Sequence, residues 1–395
     1  MTDSTTPSPQ PLAPPATLHH HLLQWYHRAK RDMPWRGHPD PYAIWLSETM
    51  LQQTQVETVK PYFSRFLARF PTINSLAEAD LQEVLALWAG LGYYRRAKHL
   101  HQAARAVVQH HGGRLPDTVE ALRTLPGIGR YTAGAIASIA FHRPAPVVDG
   151  NVMRVLARLA GYDRDIADPK HHGFFWTLAE EIVSAAPKGH YGDVNQALME
   201  LGATICTPPP SRPACLLCPL RESCRAHAEG RQLDLPIKSR KGLVPRIHGI
   251  ALVLLRPSPH SPDRSEVLLM RRPMDTIWED MWEFPTLAPP PKPRGTRKLD
   301  LPLLARHLAD TLGIPVPALV ACGRIRHTLT HRSLHLDVVR AHLPAASFPS
   351  IALPASPTAG GKRYQATRWV PWPLPQPSPL PIARVVTKIA QAAIS

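Results

Sequence analysis

The chain has 395 residues, more than one typical domain, and its 44% hydrophobic content predicts two globular domains with cores of their own. Lysine and arginine outnumber aspartate and glutamate by 46 to 30, and the net charge of +16 and pI near 10.0 suit a polyanionic partner. No apolar run reaches the roughly eighteen residues of a membrane span. The N-terminus also lacks the pattern of a signal peptide. We therefore expect a cytoplasmic protein without a membrane partner.

The N-terminal region combines a proline-rich start with a helical pattern. Residues 1–17 predict a disordered tail, and a helix is expected from His19 to about Arg31. Its three adjacent histidines, His19 to His21, would spread around the helix, which favours a solvated face over a metal site. Later helices are predicted at 71–111 with a break at 88–96, and at 151–160, 172–186 and 194–205.

Glu48 is the first candidate for acid chemistry. It lies in a helix predicted from about Tyr42 to Thr58, on the apolar face that also carries Ile44 and Leu51. None of the positions three or four residues away is basic, so the ionised carboxylate should be disfavoured. A carboxyl that stays neutral near pH 7 can act as a general acid. The alternative is a structural glutamate that reaches water or a distant arginine.

The segment from Leu125 to Gly129, LPGIG, predicts a tight hairpin between two helices, with Asp117 and Glu120 as a capping box upstream. Glycines let the backbone turn and aim amide groups at an anion such as a phosphodiester. About twenty residues later, a short apolar run delivers Asp149 to the start of another helix. A hairpin that can bind phosphate, followed by a carboxylate at the start of a helix, suggests an enzyme that acts on a nucleic acid chain. A plain connection with Asp149 as an ordinary N-cap is the alternative.

A second Gly-x-Gly turn occupies residues 88–96 and ends in two tyrosines followed by arginines. These side chains could stack on a base and contact phosphates. Core tyrosines beside a solvated basic helix would give the same pattern. The sequence leaves both interpretations open.

Four cysteines form a C-x8-C-x2-C-x5-C pattern between Cys206 and Cys224. Four thiolates in so short a loop-rich span of an intracellular protein predict a metal centre in preference to disulfides. Both tetrahedral zinc and a [4Fe-4S] cluster use four cysteines, and the spacing does not choose between them. Cys322 stands alone and is expected to be a buried, small apolar residue.

The pattern changes after the cysteines. A polar linker is followed by short apolar runs typical of strands, which predicts a separate α+β domain. Strands are predicted at 250–255, 267–270, 334–339 and 364–370, and helices at 301–311 and 382–394.

With these elements placed, the chain resembles the MutY-type adenine DNA glycosylases of the helix-hairpin-helix, Gly/Pro-Asp superfamily. The resemblance covers most of residues 22–228 in family order, and the C-terminal part is similar to the Nudix-related domain of the same family. The segments that carry it, besides the cysteine loop, are MPWR (33–36), WLSETMLQQTQVETV (45–59), LWAGLGYYRRAK (87–98), LPGIGRYTAGAI (125–136), VVDGNVMRVLARL (147–159), NQALMELGATICT (195–207), WEDMWEFP (278–285) and RHTLTHRSLHLDVV (326–339).

The resemblance implies an all-α helix-hairpin-helix DNA glycosylase domain with a four-cysteine iron-sulfur loop, followed by an α+β Nudix-like domain. One [4Fe-4S] cluster would be held by Cys206, Cys215, Cys218 and Cys224. The implied domain plan is a disordered tail at 1–17, a glycosylase domain at 18–229, a linker at 230–246 and a Nudix-like lesion-recognition domain at 247–395. Within the glycosylase domain, a six-helix lobe would occupy about 33–146, and a cluster lobe would combine 18–32 with 147–229.

The implied function is a monofunctional DNA glycosylase that removes adenine mispaired with 8-oxoguanine or guanine and so starts base excision repair. Its partner would be double-stranded DNA with such mispairs, and a nucleoid-associated monomer is expected. A tyrosine, Tyr131, stands where the bifunctional relative endonuclease III has a lysine, and a phenol cannot form an imine with the sugar. The alternatives are a bifunctional glycosylase and lyase for oxidised pyrimidines and a non-catalytic iron-sulfur DNA-binding protein.

The family's residue roles transfer to positions of this sequence. Glu48 would be the general acid and Asp149 would stabilise the oxocarbenium ion, with a pKa that we expect to be depressed by the helix N-terminus. Tyr131 and Asn151 would support them. The remaining roles fall on Arg31, Trp35, Leu51 and Gln196 for the adenine pocket, Gln53 and Tyr93 for insertion beside the lesion pair, Thr330 and His331 for reading 8-oxoguanine, and Gly127 and Gly129 for the DNA backbone.

The sequence departs from the family pattern in three places. The first cysteine gap is eight residues instead of the usual six, and the usual Phe-Ser-His of the lesion-reading loop is Leu329-Thr330-His331. Thr330 keeps the hydroxyl of the usual serine. The segment 299–313 lacks the glutamate-rich metal helix of Nudix hydrolases, so nucleotide pyrophosphatase activity is not expected.

Overall fold

The computed structural model describes residues 15–239, 242, 244–287, 299–312, 318–343, 363–375, 378 and 380–394. Residues 1–14 of the predicted tail lie outside the described residues, as do residues 240, 241 and 243 of the predicted linker. The described chain divides into two compact units. The first comprises Met1–Glu78 with Gln102–Lys241, and the second comprises Ala79–His101 with Gly242–Ser395, each within the described residues.

Residues 15–228 form helices joined by turns and loops, as the sequence predicts for the region after the tail. Asp40, Asp80 and Asp149 each begin a helix by accepting a hydrogen bond from a backbone amide of its first turn. In chain order the helices are α1 Pro15–Ala29, α2 Pro41–Leu51, α3 Val56–Arg69, α4 Ile73–Glu78, α5 Leu81–Trp88, α6 Arg95–His111, α7 Val119–Leu122, α8 Arg130–Ile139, α9 Gly150–Leu159, α10 His172–Ser184, α11 Tyr191–Thr204 and α12 Arg225–Ala228.

The core of the first unit forms around α9, which contacts α10, α11 and α12. Its apolar positions recur at helical spacing, and Val152, Val155, Leu156 and Leu159 are all buried. Helix α1 also packs on α11. This packing fixes the start of α9, where Asp149 lies.

The single helix predicted from Tyr42 to Thr58 is wrong. Helix α2 ends at Leu51, and α3 begins at Val56. Between them Gln53 adopts a φ of 56°, in the left-handed region that a right-handed helix cannot accommodate. The segment between α2 and α3 contains no glycine or proline, so the usual signals of a helix end are missing.

Two expectations about α1 are also wrong: its first residue and the solvated face of its histidines. Helix α1 begins at Pro15, before the predicted start at His19. His19 is buried, with its Nε2 2.7 Å from the carbonyl oxygen of Ile182, whereas His20 and His21 are exposed. The three histidines therefore do not share a solvated face.

The capping box predicted ahead of the hairpin is also wrong. The N-cap of α7 is Thr118, whose side chain accepts from the Ala121 amide. Asp117 instead pairs with Arg143. Asp117 therefore links the start of α7 to the chain that follows α8.

The second unit contains a mixed sheet with helices, which confirms a domain built of both α and β elements. Strand β1 runs parallel to β6, with Leu252 opposite Val339, and antiparallel to β2, with Leu255 opposite Val267. The strand order is β3-β2-β1-β6-β5, and β4 and β7 pair with β1 and β2. The elements are β1 Arg246–Ser258, β2 Ser261–Arg271, β3 Trp282–Glu283, β4 Thr286–Leu287, α13 Leu301–Leu312, β5 Val320–Leu329, β6 Arg332–His342, β7 Ala366–Trp372 and α14 Arg384–Ile394.

The sequence does not predict strand β5, which lies at the edge of the sheet. Most of its side chains are exposed, so it lacks the apolar run that marks a buried strand. Cys322 lies in it and is half-buried, which corrects the expectation of a buried cysteine. None of the described helices is long and apolar enough to cross a membrane.

Gly134 supplies a test of the packing that positions Asp149. It lies in α8, and a Cβ added there would overlap the carbonyl oxygen of Pro146, which precedes Asp149 closely in the chain. We expect Gly134→Ala to lower the free energy of unfolding by about 1–3 kcal/mol, because backbone must move to accept the methyl group. Urea unfolding measures the change.

The matched control is Gly173→Ala in α10, where an added Cβ meets no atom within 4 Å. Alanine has the higher helix propensity, so this variant should be as stable as the parent or slightly more stable. Equal stability of the two variants would contradict the close approach of α8 to Pro146.

Candidate active site

The first unit contains a cavity of about 610 Å³, a size typical of small-molecule sites. It is lined by side chains from α2, α8 and α11, from the starts of α3 and α9, and from the segments that join α1 to α2 and α2 to α3. The structure brings eight of the predicted site residues together here: Arg31, Trp35, Glu48, Leu51, Tyr131, Asp149, Asn151 and Gln196.

Glu48 lies in the wall of this cavity and is only 6% exposed. The hydroxyl of Tyr131, from α8, donates a hydrogen bond to its Oε2 at 3.0 Å. Burial raises the pKa of Glu48 from 4.5 to about 7, although the hydrogen bond from Tyr131 opposes the rise. The side chain can therefore hold a proton near neutral pH, in agreement with the expectation from its apolar surroundings.

Asp149 lines the same cavity from the N-terminus of α9. Its carboxylate accepts hydrogen bonds from the Val152 amide at 2.7 Å and from Asn151 Nδ2 at 2.9 Å. Burial nevertheless raises the pKa of Asp149 above its ordinary value, against the effect of these two donors. The depressed pKa expected from the helix N-terminus is therefore wrong, because the desolvation of the carboxylate outweighs the hydrogen bonds.

Arg154 connects this carboxylate to the cysteine loop. Its Nη2 donates to Asn151 Oδ1 at 2.9 Å and to the Gly202 carbonyl at 2.6 Å, and its Nε donates to the Cys206 carbonyl at 2.7 Å. The arginine is 8% exposed. A chain of hydrogen bonds therefore runs from Asp149 through Asn151 and Arg154 to the first cysteine.

Glu200 and Arg36 line the cavity but were not singled out from the sequence. Glu200 is 2% exposed and accepts from Arg31 Nε at 2.5 Å and from Arg36 Nη2 at 3.0 Å. Burial opposes its ionisation, but the hydrogen bonds from both arginines outweigh burial and lower the pKa of Glu200. Position 200 follows Gln196 by one helical turn, and this spacing is the signal that could have identified it.

Two family models match the chain. The model of the HhH-GPD superfamily base excision DNA repair proteins matches residues 46–180, and a NUDIX domain model matches residues 261–392. The adenine DNA glycosylase of Rattus norvegicus is 37% identical over 89% of this chain and 73% of its own length. That of Buchnera aphidicola subsp. Acyrthosiphon pisum is 36% identical over 67% of this chain and 72% of its own length. The chain belongs to the adenine DNA glycosylase family. It is a base excision repair enzyme.

Other predicted residues of this adenine DNA glycosylase lie outside the cavity lining. Gln53 is exposed at its left-handed position. Gly127 and Gly129 are exposed in the hairpin before α8. Gly127 has a φ of 75°, which favours glycine, whereas Gly129 has the extended backbone of an N-cap and needs no glycine for its conformation.

The second unit brings together three further predicted residues. Tyr93, Thr330 and His331 line a cavity of about 680 Å³ together with Trp278. The Tyr93 hydroxyl lies 2.6 Å from Thr330 Oγ1, and its side chain is 42% exposed. Tyr93 also has a left-handed backbone, with a φ of 49°.

Arg158 contacts the cysteine loop, and its Nη1 donates a hydrogen bond to Cys206 Sγ at 3.2 Å. All four cysteines are half-buried, and none forms a disulfide. Burial raises the pKa of Cys218 to about 12, with smaller contributions from Cys206, Cys224 and Cys215. Four such groups can be thiolates together only if a cation neutralises them, which fits a metal ion or cluster.

The raised pKa of Glu48 makes stability depend on pH. Between pH 4.5 and about 7 the folded protein keeps a proton that the unfolded chain has released, so stability falls as pH rises through this window. Above it the folded protein carries the whole cost of a buried carboxylate, about 3 kcal/mol for this pKa rise. We expect Glu48→Gln to be more stable than the parent by up to about this amount at pH 8, with the gain vanishing towards pH 4.5.

Urea unfolding between pH 5 and 8 measures this difference. Glu180→Gln is the matched control, because Glu180 is exposed on α10 and lies outside the cavity lining. It should leave the pH dependence unchanged. A gain for Glu48→Gln that does not vary with pH would refute the raised pKa.

Proposed function

We propose that this enzyme is a monofunctional glycosylase that hydrolyses the N-glycosidic bond of adenine mispaired with 8-oxoguanine or guanine in double-stranded DNA. The observation that carries the proposal is a cavity lined by the buried carboxyl of Glu48 and the half-buried carboxyl of Asp149, together with Tyr131 of α8, which can donate a hydrogen bond but cannot form an imine. Paired carboxyls with different hydrogen-bond partners are the arrangement that glycosidic bond cleavage uses.

Glu48 is the proposed general acid. Adenine leaves poorly as an anion, so the bond should break only when the base is protonated, and N7 is the atom that would receive the proton. Tyr131 occupies Oε2 of Glu48 as a donor, which leaves Oε1 to carry the proton. General acid catalysis of this kind contributes about two to four powers of ten to the rate.

Asp149 is the proposed stabiliser of the sugar cation that remains. Its two hydrogen-bond donors, the Val152 amide and Asn151, favour the ionised carboxylate, and a developing positive charge on the sugar would favour it further. The carboxylate could act electrostatically or through a transient covalent adduct before water adds.

Tyr131 supports the monofunctional assignment. Its burial raises the pKa of the phenol well above its ordinary value, so it stays a neutral donor to Glu48. It has no amine to attack the sugar, and the product should be an abasic site in an intact strand.

The adenine pocket is proposed to comprise Arg31, Trp35, Leu51 and Gln196. The Trp35 ring packs edge-on against Phe63, with ring centroids 5.3 Å apart, and Glu200 holds Arg31 in place. Unstacking an adenine costs a few kcal/mol, least at a mispair. The exposed amides at Gly127 and Gly129 would bind the DNA backbone without reading sequence.

The residues that would act at the lesion pair have an unusual backbone. Gln53 and Tyr93 both adopt positive φ values, which non-glycine residues rarely do and which occur at functional sites. We assign both to insertion beside the pair. Thr330 and His331 would read 8-oxoguanine, and the contact between Tyr93 and Thr330 supports a joint role of these two residues.

One [4Fe-4S] cluster is proposed for Cys206, Cys215, Cys218 and Cys224. When bound, the cluster would crosslink the loop and neutralise its thiolates. Arg158 and Arg154 would then hold the loop against α9 through their bonds to Cys206. A monomer that associates with the nucleoid DNA is the proposed working state.

The decisive test is Glu48→Gln in single-turnover excision on duplexes with 8-oxoguanine:adenine, guanine:adenine or an oxidised pyrimidine. The variant should bind the mispaired duplex and lose at least about 100-fold in excision rate, because glutamine accepts the Tyr131 bond but donates no acidic proton. Glu180→Gln is the matched control, because Glu180 is exposed on α10 and does not line the cavity; it should keep the parent rate.

The same assay separates the alternatives. Product strands should stay intact until alkali is added. Borohydride trapping of the parent on an oxidised pyrimidine would indicate a bifunctional lyase, and a parent without excision on any duplex would indicate a non-catalytic DNA-binding protein. Near-native excision by Glu48→Gln would disprove the general acid assignment.

The lesion-reading role is tested by Thr330→Val, which removes the hydroxyl and keeps the shape. The preference for 8-oxoguanine over guanine opposite adenine should fall by about threefold to tenfold, the effect of one hydrogen bond, while excision at guanine:adenine is retained. Thr367→Val on β7, also exposed, is the matched control. An unchanged preference in Thr330→Val would argue against the role.

A further inference from the structure

A group of three potential metal ligands lies on the first unit. His27 belongs to the last turn of α1, His190 is the N-cap of α11, and Asp193 lies in the first turn of α11. One ligand atom from each side chain can be chosen so that all three lie within 4.8 Å of one another. His27 and His190 are exposed, and the Asp193 side chain is 30% exposed.

The contact between His190 and Asp193 can be explained by local capping of α11, but the position of His27 cannot. His190 Nδ1 lies 2.9 Å from Asp193 Oδ2, an arrangement that two neighbours in the first turn of a helix can form alone. His27 comes from another helix, and its ring stands edge-on to that of His190 with centroids 6.3 Å apart. None of the three residues lines the cavity that holds Glu48, so the proposed catalysis does not require them.

We propose that His27, His190 and Asp193 form a binding site for a divalent transition metal ion of the zinc class. Two imidazole nitrogens and one carboxylate oxygen suit zinc, nickel or copper, whereas magnesium and calcium prefer oxygen ligands alone. Metal-ligand bonds of about 2.0–2.1 Å place tetrahedral ligands roughly 3.3 Å apart. Small rotations of the exposed His27 and His190 rings would shorten the distances between the three ligand atoms from the observed 4.8 Å or less to this value.

The metal joins the end of α1 to the start of α11. These helices already pack on each other, and the chain that follows α1 carries Arg31, which bonds to Glu200 on α11. A metal at this position fixes both segments that form the arginine side of the active-site cavity. Three protein ligands leave a fourth position for water.

Zinc titration of the cluster-loaded full chain tests the site. Calorimetry with ZnCl2 should show one site that His27→Ala and His190→Ala each abolish, and that Asp193→Asn weakens at least tenfold. Saturating zinc should raise the Tm of the parent by roughly 2–4 °C and leave that of the His27→Ala variant unchanged. Because His27 is exposed, the metal-free Tm of this variant should equal that of the parent.

His21→Ala is the matched control, since His21 is also exposed on α1. It should bind zinc like the parent. Loss of binding in His21→Ala, with His27→Ala unaffected, would assign the ion to the adjacent His20 and His21 and overturn the proposal. Co²⁺ in place of Zn²⁺ should give a spectrum without thiolate charge transfer; a thiolate signal would place the ion in the cysteine loop and overturn it as well.

Discussion

The hydrogen bond from Tyr131 to the buried carboxyl of Glu48 is the interaction on which the proposed chemistry of this enzyme depends. Burial alone favours the neutral acid so strongly that proton release would be difficult, and the tyrosine donor stabilises the carboxylate that remains after release. The opposing effects leave a pKa of about 7, where an acid can both hold and give a proton. Helices α2 and α8 pack against each other, and this packing both excludes water and sets the 3.0 Å contact.

Asp149 is half-buried and has different partners. Two N–H groups donate to it, and Asn151 is held in turn by Arg154, so these contacts offset part of the cost that burial adds to its negative charge. Arg154 also bonds to the Cys206 carbonyl, which ties the start of α9 to the cysteine loop. A metal centre in that loop would therefore stabilise the position of the carboxylate without contacting the substrate.

Features that depend on a few neighbouring residues could be predicted from the sequence, and features that depend on distant packing could not. The apolar neighbours of Glu48 recur at helical spacing, and Asp149 directly precedes a helix, so both positions are evident locally. The break at Gln53 carries no glycine or proline signal, and edge strand β5 shows little apolar pattern. The predicted direction of the Asp149 pKa shift is wrong, because the extent to which Asp149 is desolvated depends on which helices pack around it.

Glu200 is remote in sequence from Glu48 but pairs with arginines that line the same cavity. Arg31 and Arg36 both line the cavity, and the charge of Arg36 lowers the pKa of Glu48. Left alone, two guanidinium groups at this wall would favour the ionised form of Glu48 and remove the proton that the proposed catalysis needs. Glu200 binds both arginines and supplies a compensating negative charge. The arginines could therefore serve as hydrogen-bond donors in the proposed base pocket while Glu48 keeps its proton.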